Sequence, residues 1–121
     1  MQVSSRRLNR TIESQIYKML FGLMADIKDP REVKTVMDDL LTSSELTAMA
    51  KRLAIAVYLD KGRSYEDIKN HLKVSSATIA SVADQMGNPG IQSALNRIKA
   101  EQWADEVSGK ISNLVKKVLP R

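Results

Sequence analysis

Cysteine is absent from this 121-residue chain, so disulfides and thiolate metal sites are excluded, and a reducing, cytoplasmic setting is expected. No run of 18 apolar residues occurs, so no membrane span is expected. Near the N-terminus, Arg6, Arg7 and Arg10 are followed by Glu13, Gln15 and Lys18, which interrupt the continuous apolar stretch a signal peptide needs. Without secretion, the glycosylation pattern Asn9-Arg10-Thr11 is a chance match.

Groups for catalysis are equally sparse. His71 is the single histidine, set between Asn70 and Leu72, where a solvent-facing or phosphate-side position is expected. Asp38-Asp39 has the composition of a metal site, but adjacent carboxylates on a helix point to different faces. The chain has neither a Gly-Lys-Ser/Thr phosphate loop nor a glycine-rich dinucleotide turn. The expectation is a protein that is not an enzyme and holds no metal or cofactor.

At 43% hydrophobic residues, the chain suffices for one compact domain over residues 1–121. A net charge of +5 and a pI near 9.6 suit a polyanionic partner. The excess lies at the ends: five cations against three anions over residues 1–29, and six against three over 91–121. Residues 63–90 balance at three against three.

Leu8, Ile12, Ile16, Met19, Leu20, Leu23, Met24 and Ile27 recur every three or four positions and predict a first helix. Asp29-Pro30 ends it, and Pro30 opens a second helix carrying Val33, Val36, Met37, Leu40 and Leu41. Thr42 with Glu45 three residues on makes a capping box for a long third helix, which Lys61 and Gly62 terminate. Ser64 with Asp67 caps a short helix ending near Leu72. Another helix begins near Ser76 and closes before Gly87-Asn88-Pro89-Gly90, and a last helical region runs over residues 91–119. No segment alternates as a half-buried strand does, and there is no internal repeat, so the fold class is all-α with about six helices.

Two short helices joined by about three residues over 64–86 outline a helix-turn-helix. Ile68 and Leu72 on the first, Val74 in the turn, and Ile79 and Val82 on the second supply a shared apolar wedge. The second helix opens Ser75, Ser76, Ala77, Thr78, with Ala80 and Ser81 on its outer side. Small side chains allow close approach to base edges in a major groove, hydroxyls bond bases or phosphates, and methyls touch thymine. Arg63, Lys69 and Lys73 lie where they reach the flanking phosphates. The alternative is a helical hairpin whose Ser/Thr/Ala run only caps one helix and packs on a neighbour.

The stretch LLTSSELTAMAKRLAIAVYLDKGRSYEDIKNHLKVSSATIASV resembles the tryptophan-repressor-like family of bacterial transcription regulators. The likeness lies in the LLT start of the third helix, the KR in its middle, L.KG, the KN.L first helix and the ATI second helix, over roughly residues 40–86. The resemblance implies a six-helix chain that intertwines with a second copy. The homodimer presents two recognition helices to a palindromic operator in double-stranded DNA, about one helical turn apart. It places Ser76, Ala77, Thr78 and Ala80 where the family reads bases.

It also matches Arg52 to one of two arginines that sandwich the indole of a tryptophan corepressor. The second would fall at Ser81, and a neighbouring glycine is Val82 here, so no tryptophan corepressor is expected and Arg52 is left for another effector, an ion pair or a phosphate. General helix-turn-helix patterns favour a small residue at Lys69 and glycine at Lys73. A turn of different geometry is therefore expected, because a left-handed backbone is costly at a non-glycine residue.

The rival is a protein-interaction module. Trp103, Val107, Ile111, Leu114 and Val118 form a stripe at helical spacing, either burying against the core or offering an assembly surface, and Gly109 interrupts it. Arg6, Arg7, Arg10, Lys116, Lys117 and Arg121 read either as phosphate-contacting tails or as solubilising termini.

Overall fold

The computed structural model describes residues 8–102. Its elements are α1 (Arg10–Asp26), α2 (Pro30–Leu40), α3 (Ser43–Asp60), α4 (Tyr65–Leu72) and α5 (Ser76–Asp84), followed by α6, which spans 89–102. No strand occurs among the described residues, and the chain is all-α. The stripe from Trp103 to Val118 and the terminal Arg6, Arg7, Lys116, Lys117 and Arg121 lie outside the described residues.

Local signals account for most helix ends. Asn9 caps α1, its side chain accepting from the Thr11 amide at 2.8 Å. Asp29 caps α2 by accepting from the Arg31 amide at 2.9 Å, with Pro30 in the first helical position. The Arg31 side-chain bonds, then that amide, hold the Asp29 carboxyl below its ordinary range. At α3 the capping box is reciprocal: Thr42 Oγ1 accepts from the Glu45 amide at 3.1 Å, and the Glu45 carboxylate accepts from the Thr42 amide at 2.8 Å.

Gly62, with φ of +77°, ends α3, and the Arg63 amide donates back to the Tyr58 carbonyl at 3.1 Å. That bond satisfies a carbonyl the helix would otherwise leave unpaired. The last helix starts at position 89 rather than 91, because proline at a first helical position forfeits no helical hydrogen bond. The Gln92 amide reaches the Asn88 carbonyl at 3.0 Å across that start.

The chain divides into two units, with the division inside α3 after Met49. The first contains α1, α2 and the opening turns of α3. It has no fully buried residue among those described, and Met19 and Phe21 of α1 are 69% and 62% exposed. Ile16, Leu20, Phe21 and Met24 of α1, Met37 and Leu40 of α2, and Leu41 and Met49 line an open groove of about 550 Å³. All eight are apolar. Asp38, half of the adjacent aspartate pair, forms an ion pair with Lys34, and no metal-binding cluster occurs among the described residues.

The second unit holds the core. Ile55 and Ala56 of α3, Ile68 of α4, Ile79 and Val82 of α5 and Leu95 of α6 are buried together, with Leu72, Val74, Met86 and Ile91 packed around them. Helices of eight and nine residues are too short to persist alone, so α4 and α5 depend on this shared burial. Lys99 of α6 pairs with Asp60 at 2.9 Å, tying the last helix to the end of α3.

Candidate nucleic-acid interface

Helices α4 and α5 pack directly against each other as a helix-turn-helix, using the five apolar residues expected of the wedge. Ser64 caps α4 by accepting from the Asp67 amide at 3.1 Å. Ser75 caps α5, accepting from the Thr78 amide at 3.1 Å. The helix proper covers Ser76–Asp84 and closes at Gln85, two residues short of the expected C-terminal reach. Residues 85–87 form a turn instead, with Gln85 and Met86 amides bonded back to Val82 and Ala83 carbonyls.

The turn corrects one expectation. Lys73 adopts a left-handed backbone (φ 54°, ψ 55°), the conformation glycine usually supplies, so the lysine has not produced a different geometry. The Lys73 amide donates to the Lys69 carbonyl at 3.0 Å, closing α4, and the Lys73 carbonyl accepts from Lys51 Nζ at 3.3 Å. Two hydrogen bonds and the partly buried Val74 thus hold a backbone that a lone lysine would avoid.

With Ile79 and Val82 buried, the opposite face of α5 points outward. Ser75, Ser76, Ala77, Ala80 and Ser81 are exposed, and Thr78 is half-buried. This places the six small residues singled out in the sequence along one accessible surface, beginning at a helix N-terminus whose free amides favour an anion. Thr78 is partly engaged already, its Oγ1 lying 2.9 Å from Ser75 Oγ.

The cations differ in their surroundings. Lys69 and Lys73 are exposed and take part in no ion pair among the described residues. Arg63 bonds Asp67 at 3.0 Å and lies 4.7 Å from the Tyr58 ring centroid, so its guanidinium is held by its own chain. His71 Nδ1 sits 2.8 Å from Asp67 Oδ1 and 3.0 Å from the Asp67 carbonyl. An ionised carboxylate and a carbonyl both only accept, so Nδ1 carries the proton and the ring is oriented by its own helix.

Arg52 donates through Nη2 to Gln85 Oε1 at 2.7 Å, a partner not anticipated from its position. Val82, which stands where the resemblance places a glycine, is 1% exposed and fills the core. Lys51 and Gln85 carry structural roles that pattern reading missed. The sequence marks Lys51 only as half of the KR pair, and nothing local marks Gln85.

The Trp repressor protein family matches residues 15–99, most of the chain and all of the helix-turn-helix. The chain belongs to the Trp repressor family. A relative, the uncharacterized protein YerC of Bacillus subtilis (strain 168), is 35% identical over 82 residues, spanning 66% of this chain and 79% of the relative. No solved structure matches significantly. Trp repressor proteins are DNA-binding regulators rather than enzymes, and the all-α fold agrees with that membership. No helix among the described residues is long and apolar enough to cross a membrane.

Proposed function

We propose that this Trp repressor family member is a sequence-specific transcriptional repressor that binds a palindromic operator as a homodimer, with α5 in the major groove. The observation that carries the reading is the division of α5 into a face buried through Ile79 and Val82 and an outer face of small residues, several of them hydroxyl-bearing. Ser75, Ser76, Ala77, Thr78, Ala80 and Ser81 form the base-reading surface. Lys69 and Lys73 bind flanking phosphates, and Arg63 adds a more constrained third contact. Dimerisation is supported by the apolar, exposed α1 and the groove beside it, since contiguous apolar surface of that kind marks an interaction site.

Binding is independent of tryptophan in this proposal. Ser81 offers no guanidinium to an indole, Val82 occupies core volume, and Arg52 is engaged by Gln85. Fluorescence anisotropy on a labelled duplex across a salt series tests the DNA-binding part. With two protomers each using Lys69, Lys73 and Arg63, six phosphate contacts at about −0.9 each give an expected logarithmic slope of about −5. A slope near zero would leave only the protein-interaction reading.

A further inference from the structure

Lys51 and Arg52 are consecutive residues of α3, so their side chains leave that helix about 100° apart. Lys51 Nζ donates to the Lys73 carbonyl in the turn before α5, and Arg52 Nη2 donates to Gln85 Oε1 at its C-cap. Among the described residues, these two side-chain hydrogen bonds span 22 and 33 positions, and the one other side-chain polar contact spanning more than six is the Lys99–Asp60 ion pair, which does not touch α5. One pair of neighbouring cations therefore grips the chain on both flanks of α5, a helix roughly 13 Å long at 1.5 Å per residue. Ile79 and Val82 anchor the helix itself, and Val74 and Met86 pack on the core just beyond its two ends. To that packing the two hydrogen bonds add directional restraints at the flanks, where a displacement changes the tilt of α5 most.

We propose that Lys51 and Arg52 are positioning residues that set the tilt of α5, and that Arg52 acts through Gln85 rather than by touching DNA. This rests on the reading that α5 enters the major groove. Half-burial of Lys51 and Gln85 supports a structural assignment, since each side chain is turned partly into the protein. Arg52 also fits the task chemically. Its planar fork is directional, so a bond to one amide oxygen restrains orientation as well as distance.

The test uses the full chain and variants Arg52→Met, Gln85→Met, the double variant, Arg52→Lys and Lys51→Met. Affinity is measured for the duplex the wild-type chain prefers and for a scrambled duplex. Arg52→Met and Gln85→Met are each expected to weaken preferred-duplex binding roughly three- to tenfold, the scale of one partly exposed hydrogen bond. Scrambled-duplex binding and the salt slope are expected to stay unchanged, the double variant to be no worse than either single one, and Arg52→Lys to recover part of the loss. In the free protein, amide exchange over residues 82–85 quickens in Arg52→Met, and over 73–75 in Lys51→Met.

A salt slope shallower by about one unit per protomer in Arg52→Met would make Arg52 a phosphate contact and overturn its assignment. Additive losses, or exchange rates unmoved in folded variants, would equally overturn the clamp. If the wild-type chain preferred no sequence, the operator-reading proposal would fail by itself, and the exchange rates alone would decide the clamp.

Discussion

Ser75 and Thr78 are joined twice: the Ser75 Oγ accepts from the Thr78 amide at 3.1 Å and lies 2.9 Å from the Thr78 hydroxyl. The first bond is an N-cap, and the second orients the threonine side chain at the start of α5. Ser75→Ala removes both. A stability loss of about 1 kcal/mol is expected, typical of a serine cap. Urea unfolding followed by helical circular dichroism measures it, and a loss below a few tenths would show that the cap does not hold α5.

Thr78 is the residue whose chemistry depends most on this pairing. When the Ser75 hydroxyl donates to Thr78 Oγ1, the threonine proton remains available for a base acceptor and its methyl for thymine. Thr78→Ala is expected to reduce discrimination between the preferred duplex and a single-base variant by about 1–3 kcal/mol. Competition binding with the two duplexes reads this directly. Unchanged preference would remove Thr78 from the base-reading set.

The left-handed Lys73 sets stability against binding. A non-glycine residue there costs roughly 1–2 kcal/mol, while glycine adds back about 0.5–1 kcal/mol of unfolded-state entropy. Lys73→Gly is therefore expected to stabilise the fold by up to about 1 kcal/mol, and to make the DNA salt slope about one unit shallower per protomer. Thermal melting and the salt series check the two halves. A destabilised variant would mean that contacts of the lysine side chain outweigh the backbone strain.

The α3 capping box gives a pH dependence of definite sign. The Thr42 backbone bond first, then the Thr42 hydroxyl, holds the Glu45 carboxyl below its ordinary value of 4.5. A group lowered in the folded state contributes stability above its unfolded value, and that contribution fades as pH falls through the folded one. Stability of the wild-type chain is thus expected to fall below about pH 4.5 partly through Glu45, and Glu45→Gln to flatten that fall. Identical acid profiles for the two proteins would contradict the role given to this carboxylate.

Helix ends were the most legible feature, because caps act within three or four residues. Asp29-Pro30, Thr42 with Glu45, Gly62 and Ser64 each stand where a boundary falls. Burial of Ile68, Ile79 and Val82 was readable for the same reason, as period alone selects the inner face. The left-handed backbone at Lys73 is not legible locally, because its strain is offset partly by Lys51, 22 residues earlier, which no local pattern reveals. Gln85 as the partner of Arg52 was hidden by a separation of 33 residues. The exposed α1 shows another limit: helical periodicity looks alike whether the apolar stripe is covered within the chain or by another molecule.

Selection of bound sequences from a random duplex pool at near-physiological salt, with and without free tryptophan, tests operator recognition most directly. Enrichment of one palindrome, equally in both arms, is the expected result for a homodimer reading DNA through α5 without a tryptophan corepressor. Enrichment only with tryptophan would contradict the effector-independent reading, and no enriched motif in either arm would contradict operator recognition itself.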